Sequence, residues 1–320
     1  MGAIVVRSIG GPAVLQWEPV APRDLDADQI RIEPAAIGVN YIDTYHRSGL
    51  YSVGLPFTPG LEGAGTVTEK GPGVKGVELG DRVAWTDQLG SYAEDIVITA
   101  DRAVRVPASL SLETAAALML QGITAHYLTN DTFALGVEHR CLIHAGAGGV
   151  GLLLIQLAKE AGAQVFATVS TPEKAELASA AGADHIVGYA DFTDDIERLV
   201  GPKALDVVYD GVGLATFSRG LGLLRPRGLM ALFGRASGAV PALDLGVLAQ
   251  HGSLHVTSPS LGDHISDGKA LSDRVGALFS ATLAGRLEVR IGQTWPLRDA
   301  AAAHRQLESR ASTGKILLLA

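Results

Sequence analysis

The segment CLIHAGAGGVG, residues 141–151, constrains this chain more than any other stretch, because a short apolar strand pattern runs directly into glycines and then into a helix. Leu142 and Ile143 lead to Gly146, Gly148 and Gly151 at G-x-G-x-x-G spacing, and residues 152–159 (LLLIQLAK) continue as a helical pattern. Missing side chains let the backbone approach a pyrophosphate, whose charge is met by free N–H groups and the positive end of the helix. The spacing alone is a weak signal. With a strand before it and a helix after it, the segment predicts a dinucleotide-binding turn of the Rossmann type.

With 320 residues, 47% of them hydrophobic, the chain can build about two domains, each with its own core. No apolar stretch reaches the ~18 residues that suggest a membrane span, and residues 1–9 lack the hydrophobic region of a signal peptide. A cytoplasmic protein without a membrane partner is expected. Cys141, the single cysteine, excludes a disulfide within the chain and any multi-cysteine zinc site, and it reads as a small core residue. The balance of 26 basic against 34 acidic residues, net −8, opposes general binding to nucleic acid.

Residues 1–120 read as an irregular, strand-rich region with candidate strands at 30–34, 65–68 and 82–85. The turns GPGV at 71–74 and ELGD at 78–81 separate them, which predicts a partly closed antiparallel fold. A helix opens after Ser109 or Ser111 and leads to a boundary near Gly122. Strands and helices then alternate to about residue 259, giving six strands and a doubly wound parallel sheet. The tail offers helices at 271–287 and 298–308 and a strand at 315–319, too little for a third core, so it is expected to fold back onto the first domain. The predicted organisation is α/β, with a β-rich domain of residues 1–122 and 260–320 and a nucleotide-binding domain of residues 123–259.

Dinucleotide folds selective for NAD place an acid at the end of the second strand, roughly 20 residues past the first glycine. Here the strand ends Val169, Ser170, Thr171, Pro172, Glu173, Lys174. Hydroxyls and a lysine suit the 2′-phosphate of NADPH, with Ser170 and Lys174 as its partners. Glu173 forms an S-x-x-E pattern with Ser170 and reads as a capping carboxylate.

With those residues placed, the chain resembles the zinc-independent quinone oxidoreductases of the medium-chain dehydrogenase/reductase superfamily, the zeta-crystallin-like branch. The resemblance covers nearly all of the chain. It rests on Gly11-Pro12 with Val14-Leu15, AIGVNYIDTY at 36–45, RSGLY at 47–51, PGLEGAG at 59–65 and GDRV at 80–83. Further on it rests on GGVG at 148–151, VYD at 208–210, LFG at 232–234, SG at 237–238 and LESR at 307–310.

The resemblance implies a GroES-like catalytic domain closed by the tail, with a Rossmann domain inserted and NADPH in the cleft between them. Asn40, Tyr41, Ile42, Asp43, Thr44 and Tyr45 would line the nicotinamide side, and Tyr127 would contact the cofactor. Gly149 and Val150 would hold the pyrophosphate beside Gly146, Gly148 and Gly151. Ser170, Lys174 and Tyr189 would surround the adenosine phosphate, Phe233 and Gly234 would approach the nicotinamide ribose, and Arg310 would reach in from the tail. The resemblance also implies a homodimer in which residues 254–257 pair across a two-fold axis. Gly146, Gly211, Arg235 and Ser258 depart from residues that relatives carry.

Zinc-dependent relatives place a cysteine in the loop held here by Gly38, Val39 and Asn40, and a histidine where this chain has Leu61 and Glu62. Neither ligand is present, so no metal is expected. A quinone suits such a site, because hydride addition gives a delocalised anion that one hydrogen bond from Asn40 or Tyr45 can stabilise, with Tyr51 as a further donor. The same tyrosines also fit as amphipathic wall residues. The reading is thus an NADPH-dependent quinone reductase. Alternatives are an enone or enal reductase using the same cofactor site, and a zeta-crystallin-like nucleotide- or RNA-binding protein without turnover.

Overall fold

The structure is a computed structural model that describes residues 1–320. The chain forms two compact units, one of residues 1–123 and 264–320, the other of residues 124–263.

In the second unit six strands lie side by side in the order His185–Gly188, Gln164–Val169, Arg140–Ile143, Leu205–Asp210, Leu224–Leu232 and His255–Thr257, and every neighbouring pair is parallel. Leu205–Asp210 is buried at every position, as a strand covered on both faces must be. Leu142, Phe166, Phe192, Val208, Phe217 and Met230 form the core. The chain winds outward from Arg140–Ile143 in both directions, so the strand order reverses beside it. That reversal opens a crevice at the carboxyl end of this strand, where the glycine segment lies.

In the first unit the sheet order is Ile291–Pro296, Lys315–Leu319, Gln29–Val39, Glu62–Lys70, Arg82–Thr86 and Val104–Arg105, with Ile96–Thr99 also pairing with Gln29–Val39. Gln29–Val39 is antiparallel to three partners, and Pro34 borders one of its register shifts. The C-terminal strand sets Leu317 opposite Gly38 and Ile316 opposite Val39.

Several local expectations change. The helix that opens after Ser111 runs unbroken over Leu112–Tyr127, past Gly122. A Cβ on Gly122 would lie 3.1 Å from Leu278, so this glycine marks close packing and not a helix end. Ser111, not Ser109, caps the helix, accepting from the Thr114 N–H at 3.0 Å. The helix expected at 271–287 spans Gly268–Leu283 because Asp267 caps it earlier, accepting from the Ala270 N–H at 2.8 Å.

Candidate active site

The glycine segment is held open by its own backbone. Ala145 takes a left-handed φ of 56° and donates its N–H to the Tyr189 hydroxyl at 3.0 Å, and Gly148 donates to the Ala145 carbonyl at 2.9 Å. A Cβ on Gly151 would stand 2.3 Å from that carbonyl, so the third glycine lets the helix Gly149–Glu160 start against the turn. Gly148 precedes this helix and has no side chain to accept the N–H groups of Gly149, Val150 and Gly151. Their donors and the helix dipole fit a pyrophosphate.

His144 supports the turn from below. Its Nδ1 pairs with the Thr168 hydroxyl at 3.0 Å, its ring stacks on Tyr189, and its Nε2 is buried without a partner. Burial pulls its pKa down to about 4, so the ring is neutral near pH 7.

At the end of Gln164–Val169 the cap differs from expectation. Thr171, not Ser170, caps the helix Pro172–Ala180 by accepting from the Lys174 N–H at 3.3 Å, and Glu173 is held below its ordinary pKa chiefly by the Thr171 hydroxyl. With Thr171 as the cap, Glu173 is the second residue of the helix and not the third, so the S-x-x-E pattern forms no capping box. Ser170 is left at the surface, its hydroxyl 3.4 Å from the Lys174 ammonium.

Phe233 and Gly234 follow Leu224–Leu232 and pack on Gly211. A Cβ at Gly211 would lie 2.9 Å from the Phe233 ring, so serine at this position requires the ring to move. Tyr127 is buried at the end of its helix.

In the first unit the helix Tyr41–Ser48 carries the predicted substrate-side residues. Asp43, its third residue, accepts from the Asn40 backbone N–H at 2.8 Å, one half of a capping box. The Asn40 side chain does not cap the helix. Its Nδ2 donates to Glu62 at 2.5 Å, and its Oδ1 accepts from Lys315 at 2.9 Å and Gln121 at 3.2 Å. The Lys315 ammonium also donates to Glu62, whose other oxygen accepts from the Leu120 N–H at 2.5 Å.

Tyr41, Ile42 and Tyr45 are half-buried on this helix and Thr44 is buried. Tyr51 returns onto Tyr45, with ring centroids 5.4 Å apart at 71°, and Tyr41 lies 6.4 Å from Tyr45. Arg310 is exposed on the turn after the helix Ala300–Glu308. The structure thus groups Asn40, Tyr41, Tyr45 and Tyr51 in the first unit, and Tyr189 with the glycine turn in the second.

Sequence reasoning did not select Lys315, Gln121, Tyr92 or His304. A lysine heading the apolar run KILLL was a usable signal, since a lysine in a buried strand needs an anionic partner. The others depend on residues more than two hundred positions away, or on a helix face that no local pattern marks.

The side chains do not suit a zinc ion. Leu61 is apolar and buried, and no group of three or more His, Cys, Asp or Glu residues could hold a metal. The Lys315 ammonium already neutralises Glu62, so a divalent ion beside that carboxylate would meet a like charge.

Residues 26–108 match the alcohol dehydrogenase GroES-like domain family and residues 149–275 the zinc-binding dehydrogenase family. The chain is 44% identical to quinone oxidoreductase 1 of Escherichia coli over 97% of both chains, and 40% identical to a 2-haloacrylate reductase from a Burkholderia species over 99% of this chain and 98% of that one. Among solved structures, Escherichia coli quinone oxidoreductase complexed with NADPH superposes with a TM-score of 0.98 at 43% identity, covering all of both chains. With its glycine turn, its GroES-like sheet and this likeness along its whole length, the chain belongs to the quinone oxidoreductase family of the medium-chain dehydrogenase/reductase superfamily.

Proposed function

We propose that this protein is an NADPH-dependent quinone reductase that works without a metal. The observation that carries the reading is the Ser170 and Lys174 pair beside an uncapped glycine turn, in a chain 44% identical to a quinone oxidoreductase. A hydroxyl and an ammonium at the end of the second strand favour a 2′-phosphate, and no carboxylate is set there for a ribose hydroxyl. When bound, NADPH supplies the hydride.

The remaining work falls to the chain. Gly146, Gly148, Gly149, Val150 and Gly151 receive the pyrophosphate, and Ser170, Lys174 and Tyr189 hold the adenosine end. Tyr127, Phe233, Gly234 and Arg310 complete the cofactor contacts, and Tyr41, Ile42, Asp43 and Thr44 shape the nicotinamide side. Asn40, Tyr45 and Tyr51 are the donors for the oxygen of the acceptor. A quinone needs only that its developing oxyanion be stabilised, and solvent can deliver the proton later.

A second reading, reduction of an activated C=C bond, is favoured by the 40% identity to a 2-haloacrylate reductase. It requires a proton at carbon, for which the tyrosines offer only weak acids. The protein acts in the cytoplasm as a homodimer joined through the edge strand His255–Thr257, and net −8 disfavours an RNA-binding role. No helix is long and apolar enough to cross a membrane.

Steady-state rates with NADPH and with NADH against a panel of benzoquinones, naphthoquinones and enones test the reading. Higher kcat/KM for quinones with NADPH is expected, and a clear preference for enones overturns it.

A further inference from the structure

We infer that Lys315 and Glu62 form a positioning pair that locks the Asn40 amide in one of its two flip states, so that Asn40 can only donate to the acceptor. This rests on the quinone reductase reading. Lysine has donors and no acceptor, and a carboxylate only accepts. The Asn40 Oδ1 faces the Lys315 ammonium at 2.9 Å and the Gln121 amide nitrogen at 3.2 Å, and its Nδ2 faces Glu62 at 2.5 Å. Flipping the amide would set N–H groups against an ammonium and a carbonyl against a carboxylate, so both contacts would turn repulsive.

Lys315, Glu62 and Asn40 are buried, and both Glu62 oxygens are engaged. A Cβ on Gly38 would stand 2.1 Å from the Glu62 carboxylate, so the sheet leaves that carboxylate no room on the Gly38 side. The Asn40 backbone is committed as well, its N–H to the Asp43 carboxylate and its C=O to the Asp43 N–H. What remains is the second N–H of Nδ2. Asn40 is therefore built to meet a carbonyl oxygen or an oxyanion and not a hydroxyl proton, and Lys315 acts through Asn40 without touching the acceptor.

The experiment is a double-mutant cycle. Lys315→Met alone strands a buried Glu62 charge, so Lys315→Met with Glu62→Gln keeps the site neutral and removes the charges that dictate the flip. That pair should lower kcat for a benzoquinone about tenfold, the scale of one oriented donor. NADPH affinity by fluorescence titration should stay within about twofold of wild type. In an Asn40→Ala background the same pair should cause no further loss, because both changes remove one interaction.

An equal loss in the Asn40→Ala background overturns the proposal, as does an unchanged kcat or an NADPH affinity that falls in step with kcat. If the wild type turns over enones but not quinones, the functional reading fails and the cycle is decided on the enone. A wild type that reduces neither overturns both.

Discussion

The Tyr92 hydroxyl donates to the Asp43 carboxylate at 2.9 Å and accepts from His304 Nε2, whose other nitrogen, Nδ1, takes a guanidinium N–H of Arg47 at 3.1 Å. Arg47 cannot accept a proton, so its contact fixes the His304 tautomer and with it the direction of the whole chain of bonds. Burial raises Asp43 from 3.8 to about 7, and its second oxygen has no partner.

Between about pH 4 and pH 7 folded Asp43 keeps a proton that the unfolded chain has lost, so this group's stabilising contribution is full at low pH and fades as pH rises toward 7. His144 and His304, lowered to about 4 and about 3 by burial, act with the opposite sign and add stability as pH rises toward 6.5. Asp43→Asn keeps an acceptor for Asn40 and Tyr92 but cannot titrate. The wild-type minus Asp43→Asn difference in urea stability should therefore decline by about 1 kcal/mol or more across that window, each unit between two pKa values being about 1.4 kcal/mol. Parallel stability curves would show that Asp43 ionises normally.

Lys174→Glu should weaken NADPH roughly ten- to hundredfold while changing NADH little, because it replaces a phosphate-pairing charge with a repelling one. Fluorescence titration with both cofactors measures it. Equal losses for the two would remove Lys174 from 2′-phosphate recognition.

Tyr45→Phe should cut kcat/KM for a simple quinone about tenfold, the loss of ~1.4 kcal/mol of oxyanion stabilisation. The Tyr51 ring meets Tyr45 edge-on, so Tyr51→Phe keeps that contact and should cost less. The reverse order would make Tyr51 the donor.

Val256→Pro removes an N–H and adds a ring on the outermost strand of the six-stranded sheet, where Val256 pairs with Met230 alone. Light scattering at micromolar concentration should report a dimer for the wild type and a larger monomer fraction for the variant. A monomeric wild type would refute the assembly.

The elements that were legible in the sequence are those whose signals are local. Strand, glycines and helix from residue 140 to 160 announce themselves because an apolar run, missing side chains and helical periodicity fall within a few turns of one another. Lys315–Leu319 matches its expected bounds for the same reason. Caps were less legible: Ser170 and Thr171 carry interchangeable hydroxyls, and only the backbone geometry made Thr171 the cap.

By itself the sequence determined the parallel sheet and the anion-binding turn, since each follows from the order of neighbouring residues, whereas the helix Tyr41–Ser48 lies in a stretch that reads as irregular. Only the tertiary structure decided what those residues can do. Lys315 stands 275 positions from Asn40, yet strand pairing at the end of the first sheet brings its ammonium to the Asn40 carbonyl oxygen. Burial then changes the chemistry of side chains that were already known by name, because a carboxylate, an imidazole or an amide removed from water answers to its few remaining partners.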